Sequence, residues 1–270
     1  MTTTQLYKLI DGFALKSLSD EYCANYGAYD NSGILVDAGE DITKVLFSLD
    51  LSKSAIHRAV QEGAKAIVTH HPAIYGKISE IRFDDGLLGE KLVTCIRKGI
   101  SVIAMHLNLD CAEGGIDESL QQAVLLATET NPEKNTKTSV MHPLSQGGYG
   151  RVYCVKEATL QTLAENVGKV LNSEKTIVYG EKTKRIQKVA SFCGAGVDEQ
   201  ALAFAKTQGA DVVISSDYKH HLIAQALELG FAVIDLTHYA SEQYGFKKYY
   251  ENIRKATELT CIYHVDESLL

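Results

Sequence analysis

The chain has 270 residues, 45% apolar and 23% charged, which suits one large or two modest domains around a packed core and excludes a disordered chain. Its formal net charge of −7 argues against a broad nucleic-acid footprint, which needs clustered Lys and Arg. No run of about 18 apolar residues is present to span a membrane, and Met1-Thr2-Thr3-Thr4-Gln5-Leu6 lacks the basic region and apolar core of a secretory leader. The six cysteines form no Cys-x-x-Cys pair, so reduced, mostly buried thiols and a cytoplasmic setting are expected. The densest basic stretch, Lys182 to Lys188, reads as a solvated approach to a strand.

In chain order, Lys44 to Leu49 predicts a strand and Ser52 to Glu62 a helix, with Ser52 as N-cap and Gly63 as the stop. The strand Ala66 to Thr69 runs into His70-His71. A helix over about Leu87 to Lys98 stops at Gly99, and the strand Ser101 to Met105 leads to His106 and Asp110. Asn131-Pro132, His142-Pro143 and Gln146-Gly147-Gly148-Tyr149-Gly150 are turn signals, so 131–151 reads as a linker between lobes 1–130 and 152–270, or as a mobile loop over the site. The theme then repeats. The strand Lys188 to Cys193 enters Gly194-Ala195-Gly196, a helix from Asp198 to Gln208 stops at Gly209, and the strand Asp211 to Ser215 leads to Asp217. A helix from His220 to Leu229 stops at Gly230, and the strand Phe231 to Leu236 leads to His238. A last helix to about Thr257 and a strand from Leu259 to Val265 close the chain. Strands alternating with helices imply an α/β fold of two related lobes with mixed, largely parallel sheets.

In such sheets ligands collect beyond the carboxyl ends of the strands. His70, His71, Asp110, His238 and Glu242 all lie there. Pro72 restricts His71 to extended or turn geometry, and adjacent side chains on extended backbone diverge, so the pair suits two neighbouring metals better than one. His238 and Glu242 share a face if a helix begins near His238. Each motif has a plainer reading: buried core histidines, a helix start with a surface glutamate, and Asp110 as a helix cap. Together the imidazoles and carboxylates suit a pair of zinc, iron or manganese ions. His106, Asp217 and His221 are candidate catalytic or orienting groups, against the readings of a buried histidine, a helix cap and a surface residue. Lys219 is a candidate phosphate contact. Gly194-Ala195-Gly196 reads as a tight turn close to the metal site, since the dinucleotide fingerprint needs a third glycine. The sequence contains neither Gly-x-Ser-x-Gly nor Gly-Lys-Ser/Thr, which disfavours a serine hydrolase or a nucleotide-driven ATPase.

Asp30-Asn31-Ser32-Gly33-Ile34-Leu35, Thr69-His70-His71-Pro72, His106-Leu107-Asn108-Leu109-Asp110, Cys193-Gly194-Ala195-Gly196, Ser216-Asp217 with His221, and His238-Tyr239-Ala240-Ser241-Glu242 occur in this order along nearly the whole chain. In them the chain resembles the GTP cyclohydrolase 1 type 2 homologs, or Nif-three-like dinuclear-metal proteins. The resemblance implies two α/β lobes with two divalent metal ions between them, held by His70, His71, Asp110, His238 and Glu242, and a toroidal homohexamer. Val36-Asp37 departs from the family's glycine-rich run. Thr130 to Arg151 leaves no room for the extra domain of some relatives. The expected activity is metal-dependent hydrolysis of a small nucleotide. Phosphoester hydrolysis on nucleotides or nucleic-acid ends, and a non-catalytic metal-binding or oligomeric interaction role, are the alternatives.

Overall fold

Short apolar runs bounded by glycine or polar turns make strands buried on both faces, because helices cover both sides of a parallel sheet. The computed structural model describes residues 1–84, 86–131, 138–173 and 175–269. In chain order the elements are α1 (Thr3–Asp11), α2 (Lys16–Tyr26), β1 (Gly33–Val36), β2 (Lys44–Ser48), α3 (Lys53–Glu62), β3 (Ala66–Thr69), α4 (Gly86–Arg97), β4 (Ser101–Ala104), α5 (Leu107–Cys111) and α6 (Ile116–Ala127). There follow β5 (Ser139–Pro143), β6 (Gly148–Thr159), α7 (Leu160–Leu171), β7 (Ile177–Tyr179), β8 (Arg185–Ser191), α8 (Glu199–Thr207), β9 (Val212–Ser216), α9 (His220–Glu228), β10 (Ala232–Leu236), α10 (His238–Ala256) and β11 (Thr260–Tyr263).

The chain divides into two compact units, one of Met1–Ala112 with Phe246–Ser268 and one of Glu113–Gly245. The first unit holds a five-stranded sheet in the order β1-β4-β3-β2-β11, and the second a six-stranded sheet in the order β5-β6-β8-β9-β10-β7. Both are mixed, as expected. In the first, β11, β2, β3 and β4 run parallel and β1 is antiparallel to β4. In the second, β8, β9 and β10 run parallel, β7 is antiparallel to β10, and β6 is antiparallel to β8 and β5. The orders β1-β4-β3-β2 and β7-β10-β9-β8 are the same, each an antiparallel edge beside three parallel strands. The repeat read from the sequence is therefore topological.

Local signals explain why these elements start and stop. Ser52 Oγ accepts from Ala55 N at 3.0 Å and caps α3, and Gly63 ends it at φ 70°. Asp198 Oδ1 accepts from Ala201 N at 2.8 Å and caps α8. Leu46, Ile56, Ile67, Leu92 and Val102 pack as one buried cluster of the first unit. Val152, Phe192, Leu202, Val213 and Phe231 do so in the second. Each such side chain contributes about 1.5–3 kcal/mol by leaving water.

Three expectations change. The first compact unit ends at Ala112 rather than at 130, and α6 belongs to the second. In the stretch 131–151, residues 132–137 lie outside the described residues, while β5 and the start of β6 are paired strands rather than linker or mobile loop. The glycines and prolines there shape a hairpin: Gly148 pairs with Pro143, and a Cβ on Gly148 would lie 2.6 Å from His142 O. The closing strand joins the first sheet, Thr260 opposite Lys44 and Tyr263 opposite Phe47, so 152–270 is not a single lobe. At Val36-Asp37 the β1 register shifts, and Asp37 Oδ1 accepts from Gly39 N at 3.0 Å and closes the turn without the family's glycine. Among the described residues no helix is long and apolar enough to cross a membrane.

Candidate metal centre

In the first unit, strand register brings the donors together. Thr69 lies opposite Ala104, so the ends of β3 and β4 are level and His70 lies beside Met105 and His106. His70 is fully buried. Its Nδ1 is 2.8 Å from the Met105 carbonyl, which only accepts, so Nδ1 donates and Nε2 is turned toward the site. That Nε2 faces Asp110 Oδ1 at 3.5 Å. A proton on Nε2 or a metal cation between the two atoms satisfies both in this buried place. His71 Nδ1 lies 2.9 Å from Asp50 Oδ1, and His106 Nδ1 lies 2.8 Å from Asp30 Oδ1. Imidazoles anchored at Nδ1 by a carboxylate or carbonyl are the usual form of metal-ligating histidine, with orientation and basicity both fixed.

His70, His106 and Asp110 each offer a donor atom, all within 4.8 Å of one another. Ligands about 2.0–2.2 Å from one ion lie nearer still, so a small contraction would let His70 and Asp110 share an ion with His106 beside it. The His70 ring centroid is 4.8 Å from that of His71 and 5.2 Å from that of His106. Asp110 lies inside α5, one turn beyond His106, and is not the cap of α6, whose N-cap is Gly115. Cys111 is fully buried, in keeping with a packed thiol.

Asp30 is the residue the sequence reading gave no role, although it opens a motif of the resemblance. Its side chain is buried, and its Oδ2 accepts from Ser19 Oγ at 2.5 Å, Ser32 Oγ at 2.6 Å and Ser32 N at 3.2 Å. Burial alone would raise this carboxyl, but hydrogen bonds from His106, Ser19 and Ser32 hold it well below the usual carboxylate range. For His106, burial disfavours the charged ring, and the Asp30 hydrogen bond with the Asp110 and Asp30 charges outweighs it, leaving a net upward shift. Asp50 carried no sequence signal at all.

The second unit offers its own pair. Leu236 lies opposite Ser216, so the ends of β9 and β10 are level and Asp217 adjoins His238. His238 opens α10; its Nδ1 is 2.6 Å from Asp217 Oδ2 and its Nε2 is 3.0 Å from Glu242 Oε1, one turn on. Asp217 therefore holds an imidazole rather than capping α9, whose N-cap is Lys219. Asp217 has a left-handed backbone, φ 52°. Burial, aided by the Asp217 charge, pushes the nearby Asp235 carboxyl up to about 6. Gly194-Ala195-Gly196 is the expected tight turn: at Gly194, φ 57°, a Cβ would lie 2.4 Å from Glu242 Oε1. Gly194 N donates to Ser241 Oγ at 3.1 Å, and Gly194 O accepts from Ser216 N at 3.1 Å and Ser216 Oγ at 2.7 Å. His221 is exposed and sits 3.7 Å from Glu199 Oε1.

Residues 1–267 match the Duf34/NIF3 (NGG1p interacting factor 3) family. A Clostridium perfringens protein named GTP cyclohydrolase 1 type 2 homolog is 31% identical over 216 residues, 79% of each chain. A Methanocaldococcus jannaschii protein of the same name is 29% identical, covering 97% of this chain and 98% of its own. The crystal structure of a Bacillus cereus protein related to NIF3 has a TM-score of 0.80 at 19% identity, covering 98% of this chain and 96% of its own. Reduced HcgD from Methanocaldococcus jannaschii has a TM-score of 0.78 at 28% identity, covering 97% of each chain.

Proposed function

The chain belongs to the Duf34/NIF3 family, and from that premise we propose that it is a divalent-metal-dependent hydrolase acting on a nucleotide, with His70, His71, Asp110, His238 and Glu242 as ligands to two zinc, iron or manganese ions. The observation that carries the reading is the buried opposition of His70 Nε2 and Asp110 Oδ1 at 3.5 Å, with Nδ1 committed to Met105 O. The donors are imidazole and carboxylate, which suits these ions better than magnesium. When bound, such ions supply Lewis acidity and a template for substrate. The chain's own residues do the rest. Asp30, Asp50 and Asp217 hold the rings of His106, His71 and His238 by Nδ1. His106, with its raised proton affinity, can take or give a proton at Nε2 during hydrolysis. The names of the relatives support a purine nucleotide as substrate. The same reading makes the protein a cytoplasmic homohexamer; a monomer mass by light scattering at micromolar concentration would count against that assembly.

The test compares metal-loaded protein on GTP with a His70→Ala, Glu242→Ala double variant. About two ions per chain and turnover in the native protein, with both lost in the variant, are expected. Equal, background-level turnover in both would sink the hydrolase reading for this substrate. Fewer than about one ion per chain after loading would sink the two-metal reading.

A further inference from the structure

Beside His71 the first unit has a cavity of about 260 Å³ whose lining includes Asp50, Leu51, His71, Pro72, Leu88 and Lys91. Small-molecule sites run from about 300 to 1,000 Å³, so this one takes a small ligand rather than a polymer. Leu51, Pro72 and Leu88 make apolar walls, which favour a flat heteroaromatic ring over water. Three polar residues, Asp50, His71 and Lys91, belong to the lining. His71 is held by Asp50 at 2.9 Å, so that carboxylate is already engaged with the imidazole.

Lys91 is the third. It is half-buried on α4, and among the described residues it makes no hydrogen bond or ion pair. Its neighbour Glu90 is satisfied elsewhere, 2.7 Å from Lys53. Lys91 lines this partly apolar cavity and a neighbouring one on α3 and α4, and with no carboxylate in ion-pair contact among the described residues it is available to an anionic ligand. A lysine binds a phosphate as a point charge without demanding a fixed fork geometry, which suits a single cation in the cavity lining.

We infer that this cavity is the substrate subsite, seating the base of a nucleotide between Leu51, Pro72 and Leu88, with Lys91 as the residue that reads the phosphate. The inference rests on the metal-dependent reading above for its substrate class, but not for its measurement. Lys91 determines specificity: it separates a nucleotide from the corresponding nucleoside, which carries the same ring and no anion.

Calorimetric titration of metal-replete protein with GMP and with guanosine tests this. Lys91→Ala is expected to weaken GMP binding about tenfold, the scale of one charge-assisted contact, and to leave guanosine within about twofold. Lys91→Arg keeps the charge and should hold GMP within about threefold of the native affinity. Lys91→Gln serves as the second neutral variant should the alanine form lose its native circular dichroism. GMP affinity indifferent to all three changes, or native protein that binds GMP no better than guanosine, would overturn the assignment. Background turnover of GTP together with Lys91-dependent GMP binding would remove the hydrolase reading and keep the subsite. Turnover with Lys91-independent GMP binding would do the reverse.

Discussion

The two units place the same kind of residue at the same point of the same strand order, yet fill it differently. After β4, His106 and Asp110 stand four apart; after β10, His238 and Glu242 stand four apart. The turn after β2 carries Asp50, which holds His71, and the turn after β8 carries Gly194, whose missing side chain makes room for Glu242. In the first unit the carboxylate on His106 is buried, whereas in the second the carboxylate on His238, Asp217, is 56% exposed. Among the described residues, the first unit gathers three potential donors, two of them buried, and the second offers a more open pair. One topology thus supplies equivalent positions, and burial decides how strongly each is held.

The largest expected effect comes from breaking the buried set. His70→Ala should lower metal affinity by more than about 100-fold, since even outer partners of metal ligands cost 10–100-fold. His238→Ala should lose less, because its ring is more exposed; equal losses, read by metal titration and mass spectrometry, would erase the asymmetry. Next is Gly194→Ala. A side chain at φ 57°, 2.4 Å from Glu242 Oε1, should destabilise the protein by about 2 kcal/mol in urea denaturation and disturb the second pair while sparing the first.

Replacing the anchoring carboxylates sharpens the comparison further. Asp30→Asn should cost about 2 kcal/mol in metal-free protein, because it strips a buried charged acceptor from His106. Asp217→Asn, more than half exposed, should cost well under 1 kcal/mol. The loss at Asp30 has a pH window. His106 is shifted above its ordinary 6.5, so its contribution is full below that value and fades as pH rises through the raised one. Asp30 is held below its ordinary 3.8, so its contribution is present above that value and disappears on acidification. The difference between native and Asp30→Asn midpoints should therefore peak between about pH 4 and 6.5 and shrink on either side. A flat difference would show that the pair does not titrate as described. The matched caps should not separate the units at all: Ser52→Ala on α3 and Asp198→Ala on α8 should each cost about 1 kcal/mol in urea denaturation.

Much of the frame was legible because its signals are local. The apolar runs at Ala66–Thr69 and Asp211–Ser215, the cap Ser52, and the stops Gly63 and Gly209 act within a few residues, and the observed elements agree to within a residue or two. The donors were legible for the same reason, as polar residues where an apolar run stops. The paired strands β5 and β6 were not, because Gly148 and Gly150 signal a turn whether a hairpin or a linker follows. The anchors of the rings were not either. Asp30 meets His106 from 76 residues away, and Asp50 meets His71 from 21. Nothing in a lone aspartate says which imidazole it will reach.

The sequence by itself therefore determined the alternation of strand and helix, the repeat, and the residue types at the strand ends, since propensity, capping and hydrophobic runs are decided between neighbours. Only the tertiary structure decided that β11 closes the first sheet, that Thr69 lies level with Ala104, and that His70 faces Asp110 with its other nitrogen committed to Met105. Those outcomes depend on strand register and edge choice, which are set by packing across the whole sheet rather than along the chain.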